Sequence, residues 1–252
     1  MTANLISRIA EISFLGKEGH VPSALSILDI IWVIYDKIVN INLIKNRSQK
    51  RDFFILSKGH GCLAQYVVLE EKGIISKKDL NTFCKYKSNF GGHPDSRKIK
   101  GVECSTGSLG HGFPFAAGVA YGNKLLNIKS KIITLVGDGE CNEGSIWETC
   151  MIASHHKLNN LICIIDKNKS TDRALKIDDL KSKFKSFGWH AVNINGHSHK
   201  EILKALNLKS KKPLAIIANT IKGKGINFME NNPEWHHKAL DKVLFNKIIK
   251  KN

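Results

Sequence analysis

No stretch of the chain reaches the roughly 18 uncharged apolar residues that a membrane-spanning helix needs. The nearest, residues 24–39, is interrupted by Asp29, Asp36 and Lys37. The first twenty residues lack the apolar run and small-residue cleavage site of a secretory signal, so the sequence predicts a cytoplasmic protein. The six cysteines (Cys62, Cys84, Cys104, Cys141, Cys150 and Cys163) form no Cys-x-x-Cys pair and no zinc-like spacing. Free, mostly buried thiols in a reducing compartment are the expectation. Arginine is scarce. The 252-residue chain carries a formal net charge of +17, yet only 5 of its 39 basic residues are Arg, the residue that forks onto phosphate and guanine. Its lysines are spread along the chain, and no RRM, KH, zinc-finger or helix-turn-helix signature is present, so a nucleic-acid partner is not predicted. With 42% hydrophobic and 24% charged residues, the composition excludes a disordered or collagen-like chain.

No repeat or Pro/Ser-rich linker divides the sequence, which reads as a single domain over 1–252. Apolar residues all round predict a buried helix over 25–39, with Pro22 and Ser23 at its entrance. A short strand is expected at 53–56, with a helix from 61 onward. Residues 131–136 (KIITLV) form a β-branched run typical of a parallel strand covered on both faces. Further strands are expected at 161–165, 190–194 and 214–218, and helices at 115–126, 143–157, 180–187 and 200–208. That alternation predicts an α/β fold, a doubly wound, mainly parallel sheet with helices on both faces. The long polar or Gly-rich segments 89–106 and 222–237 are candidate functional loops, and 247–252 reads as a solvated tail.

The strongest local signal is Gly137-Asp138-Gly139 directly after KIITLV, followed by a helix, a second strand and Asp166-Lys167-Asn168. The two motifs stand at about the 30-residue spacing of a βαβ unit. Both therefore leave the carboxyl ends of parallel strands, where open α/β sheets bind ligands. Flanking glycines let the backbone approach a ligand, while a carboxylate, an amide oxygen and a backbone carbonyl are hard donors suited to Mg²⁺ and phosphate oxygens.

This pair resembles the thiamine diphosphate signature, and the surrounding sequence is similar to transketolase. The likeness runs in order through Gly19-His20, RDFFILSKGHG (51–61), GHP (92–94), STGSLG (105–110), GDGECNEG (137–144) and WE (147–148). It continues through FGWH (187–190), TIKGKG (220–225) and MENNPEWH (229–236). Taken together these strings are specific, whereas each alone is weak.

The resemblance implies thiamine diphosphate as cofactor, tied down by Mg²⁺ (Ca²⁺ or Mn²⁺ as alternatives) through Asp138, Asn168 and the backbone carbonyl of Ser170. By position it assigns His60, Gly107, Ser108, Leu109, Gly139, Asn168 and His236 to cofactor binding. His20, His60, His93 and His236 match the histidines that hold the sugar's hydroxyls and polarise its carbonyl. Glu143 and Glu148 match acidic positions near the family's subunit contact. The remaining histidines His155, His156, His190, His197, His199 and His237 read as structural or exposed. His111 stands where the family commonly has Gln, and residues 169–173 depart from the usual continuation after the metal-binding Asn.

The implied activity is transfer of a two-carbon ketol unit from a ketose phosphate to an aldose phosphate. The family's activating Glu lies on a pyrimidine-binding domain that this sequence does not contain. A C-terminal partner subunit supplying that domain, with two copies of each subunit, is therefore implied. The alternatives are a subunit of another thiamine diphosphate enzyme (deoxyxylulose phosphate synthase-like, or a 2-oxoacid dehydrogenase component) and a non-catalytic binding protein retaining the fold.

Overall fold

A computed structural model describes residues 2–249. Five parallel strands form one sheet in the order β1-β2-β3-β5-β4: β1 Phe53–Leu56, β2 Ile132–Gly137, β3 Leu161–Lys167, β4 His190–Asn195 and β5 Leu214–Asn219. Among the described residues ten α-helices accompany it: α1 Thr2–Gly16, α2 Val21–Val33, α3 Ile41–Lys45, α4 Cys62–Glu71, α5 Lys77–Leu80, α6 Gly112–Leu125, α7 Gly144–His155, α8 Leu180–Ser186, α9 His199–Leu206 and α10 Lys242–Ile249. None of them, among the described residues, is long and apolar enough to cross a membrane.

The period-2 geometry of a strand sends alternate side chains to opposite faces, and the core divides accordingly. Phe54, Leu56, Ile133, Leu135, Ile164 and Ile216 pack with α1, α2, α4 and α9 on one face. Ile55, Ile132, Val136, Ile165 and Ile217 pack with α6, α7 and α8 on the other. Because both faces are covered, all six residues of β2 are buried, which explains its unbroken apolar run.

Several boundaries differ from the sequence expectation. Helix α2 begins at Val21, and its last turn loosens into a π-helical segment, Ile34–Ile38, closed by a hydrogen bond from the Val39 N–H to the Ile34 carbonyl. Helix α1 has no counterpart in the sequence reading. Its buried Leu5, Ile9 and Ile12 follow helical spacing, and Arg8 forks onto the Glu70 carboxylate of α4 at 2.8 and 2.9 Å. The tail expected at 247–252 is corrected in part. Residues 247–249 close α10 with Ile248 buried in the core, while 250–252 lie outside the described residues. All six cysteines are free, and Cys62, Cys141, Cys150 and Cys163 are buried.

Candidate active site

The loops leaving the carboxyl ends of β1, β2, β3 and β5 converge on a cleft of about 660 Å³, lined by His20, His60, His93, Leu109, Asp138, Gly139, Asn168, Ser170 and His236 among others. Nine of the eleven residues singled out from the sequence thus share one cleft. Gly107 and Ser108 stand on the same loop as Leu109 but do not line it. A Cβ on Gly107 would come within 3.1 Å of the His93 ring, so that glycine lets the loop lie against the imidazole.

Asp138 follows β2 and Asn168 follows β3, and both are buried. The Asp138 oxygens accept from the backbone N–H groups of Gly139 (2.9 Å) and Lys169 (2.6 Å). No basic side chain among the described residues forms an ion pair with Asp138. Burial, with the nearby Asp166 charge second, pushes its carboxyl pKa up. Asn168 donates its Nδ2 to Asp166 (3.0 Å) and Ser26 (3.1 Å), and its Oδ1 accepts from the Ser170 N–H (3.0 Å), which leaves that oxygen one further lone pair. A buried carboxylate without a counter-cation beside an oriented amide oxygen suits a divalent ion, since a buried charge requires pairing or coordination.

Two further carboxylates organise the floor. Asp166 is fully buried and accepts from Lys58 Nζ, Ser26 Oγ (2.9 Å), Thr220 Oγ1 and Asn168. It thereby ties α2 and the loops after β1, β3 and β5 to one point. Glu140 accepts from Ser57 Oγ (2.6 Å), Gly110 N (3.0 Å) and Gly137 N (2.9 Å), and burial raises its pKa. Gly110 has φ +77°, and a Cβ there would lie 2.5 Å from Ser145 Oγ, so only glycine brings that N–H to Glu140 without strain.

The imidazoles gather opposite these acids. His20 precedes α2, and its ring centroid lies 5.4 Å from His60, 6.0 Å from His236 and 6.4 Å from His93. Tyr66 of α4 fixes the His93 loop by donating to the Gly91 and His93 carbonyls. Burial, reinforced by the Lys58 charge, depresses the His60 pKa to about 2. Burial, then the neighbouring His237, takes His20 down to about 4. Both rings are therefore neutral near pH 7. His236 accepts from Lys222 Nζ at 3.0 Å, and its pKa is lowered by burial and then by that lysine. Burial, with Lys58 second, brings Lys222 down to about 8.

Sequence reasoning missed Lys58, Glu140, Asp166, Lys222 and Glu18. Four of these five stand inside quoted strings or in Asp166-Lys167-Asn168, and a charged residue at the end of a buried strand was the available signal. His237, read as structural or exposed, is exposed but lies against His20, with centroids 4.4 Å apart.

Comparison with known proteins agrees with this geometry. The family described as "Transketolase, thiamine diphosphate binding domain" matches residues 9–250. One of the subunits of the apulose-4-phosphate transketolase of Phocaeicola vulgatus is 36% identical over 238 residues, covering 91% of this chain and 84% of that protein. The 6-deoxy-6-sulfo-D-fructose transketolase subunit SqwG of a Clostridium species is 35% identical over 257 residues, covering 98% and 93% respectively. The solved transketolase of Leishmania mexicana superposes with a TM-score of 0.90 at 28% identity, over 99% of this chain and 40% of that one. The chain thus spans about two fifths of that transketolase and most of the length of the two subunits. The protein belongs to the transketolase family and carries its thiamine diphosphate binding domain.

Proposed function

We propose that this chain works with a C-terminal partner subunit to transfer a two-carbon ketol unit from a ketose phosphate to an aldose phosphate. The observation that carries the reading is the pairing of one buried, cation-free carboxylate with a cluster of imidazoles across a single cleft. Thiamine diphosphate, when bound, supplies the carbon that accepts and hands on the two-carbon unit.

The chain's own residues do the rest. Asp138, Asn168 and the Ser170 carbonyl would hold Mg²⁺ for the diphosphate, while Gly107, Ser108, Leu109, Gly139, His60 and His236 would contact the cofactor. Neutral His20, His60 and His236, together with His93, orient the sugar's hydroxyls and exchange protons at its carbonyl oxygen. Lys222 donates to His236 Nδ1 and so directs the other ring nitrogen, Nε2, toward the cleft.

Two observations support the partner. The relatives of similar length are named as transketolase subunits. Helices α6 and α7 also expose Phe115, Tyr121, Leu125, Met151 and Ile152, apolar side chains suited to a protein interface. The assembly contains two copies of each subunit, as isologous contacts favour, and works in the cytoplasm. The names of the relatives differ in their sugar, so the donor is to be found by a panel of ketose phosphates offered to the complex with ribose 5-phosphate. Release of an aldose shortened by two carbons identifies it. A cofactor-loaded complex that releases none from any donor contradicts the reading.

A further inference from the structure

Glu18, His20 and His237 meet at the rim of the cleft. Glu18 Oε1 lies 2.7 Å from His237 Nε2 and 3.4 Å from His20 Nδ1, and it accepts from the Gly19 N–H at 3.0 Å, which fixes its direction. Among the described residues this is the only group of three His, Cys, Asp or Glu residues whose ligand atoms all lie within 4.8 Å of one another. His20 Nδ1 is buried and has no hydrogen-bond partner, although the Glu18 carboxylate stands 3.4 Å away. A buried polar atom left unpaired in this way is one that a shared cation would satisfy.

We propose that Glu18, His20 and His237 form a binding site for Zn²⁺ or a similar borderline divalent cation, and that filling it inhibits the enzyme by immobilising His20. Two imidazole nitrogens and one carboxylate oxygen are a donor set for zinc, in contrast to the all-oxygen set at Asp138, Asn168 and Ser170. Zinc–ligand bonds of about 2.0–2.1 Å put the ligand atoms of a tetrahedral site about 3.3 Å apart. The His20–Glu18 separation of 3.4 Å already fits that edge. The His237–Glu18 separation must widen by about 0.6 Å, which is open to it because the His237 side chain is 57% exposed. A water completes the fourth position.

Proton accounting is simple. The His237 proton now shared with Glu18 leaves Nε2 and is replaced on Nδ1 or released, while neutral His20 coordinates through Nδ1 with its single proton on Nε2. Glu18 is likewise ionised. Burial opposes its charge, but hydrogen bonds from Gly19 and His237 outweigh that and hold its pKa below the usual value.

The binding claim stands on this chain alone, and the inhibition claim rests on the function proposed above. Untagged chain is titrated with Zn²⁺ in excess Mg²⁺ by calorimetry, and with Co²⁺ while the visible d–d bands are followed. One equivalent should bind, with the intense bands of a four-coordinate site. His237→Ala and Glu18→Gln should each weaken binding by more than ~100-fold, beyond the ~10–100-fold that loss of an outer-shell partner costs. The double variant His155→Ala/His156→Ala, removing a second adjacent pair of histidines, should leave binding unchanged. No stoichiometric binding, or equal binding in His237→Ala, overturns the site. In the assembled enzyme, zinc at the concentration that fills the wild-type site should abolish ketol transfer, while His237→Ala, with its zinc-free rate intact, should resist. Equal inhibition of both, or none of the wild type, overturns the regulatory claim. An enzyme inactive without zinc would instead refute the function and leave the binding result standing.

Discussion

Replacing Lys58 by Met should leave Asp166 as a fully buried carboxylate without the cation it pairs with. The pair is 3% and 0% exposed, so neither charge is relieved by water. Three neutral donors, Ser26, Thr220 and Asn168, still reach Asp166, and they soften the loss without balancing the charge. Breaking a buried pair by removing one partner costs about 3–5 kcal/mol. With three donors retained, the lower end is expected, about 3 kcal/mol, a large part of a typical domain's 5–15 kcal/mol. Urea unfolding of wild type and Lys58→Met, followed by circular dichroism at pH 7, reads the difference directly. A difference under 1 kcal/mol would refute the view that this pair ties the site's floor together.

His60→Asn should reduce the acid sensitivity of the fold. The folded-state pKa near 2 lies below the ordinary histidine value of 6.5, so the unfolded chain binds the extra proton and stability is lost as pH falls below about 6.5, at up to ~1.4 kcal/mol per pH unit per histidine. Comparing stabilities from pH 7 to 5 in the two proteins isolates that proton, and identical slopes would contradict it. Glu140→Ala strands three donors, those of Ser57, Gly110 and Gly137, and should cost about 3 kcal/mol or more. Urea unfolding within 1 kcal/mol of wild type would count against it.

Much of this architecture was legible because strands buried on both faces leave long apolar runs. Residues 53–56 and 190–194 differ from the observed strands by at most one residue, and β2 and β3 by no more than two at either end. Helices were less sharply bounded. The apolar run of α2 continues into a π-helical turn without any change in composition, so the sequence did not mark where the hydrogen-bond pattern changes. Helix α1 was hidden because its polar residues include Arg8, which pairs with Glu11 one turn on but also forks onto Glu70, 62 positions away. The same distance effect explains the site. Asp138 and Asn168 stood out through local motifs at a βαβ spacing, whereas Asp166 and Lys58 form a pair 108 positions apart that no local pattern announces. His237 was passed over because its meaning depends on Glu18, 219 positions away.

The central claim, that this chain is half of a transketolase, is tested most directly by reconstitution. Ketol transfer from xylulose 5-phosphate to ribose 5-phosphate, with thiamine diphosphate and Mg²⁺, is measured for the chain alone, for the polypeptide that co-purifies with it, and for the two mixed in rising ratio. The account predicts no turnover from either alone, activity that saturates at one-to-one stoichiometry, and its loss when Asp138→Ala replaces the wild-type chain. Turnover by a preparation proven free of partner, or full activity with Asp138→Ala, would contradict it.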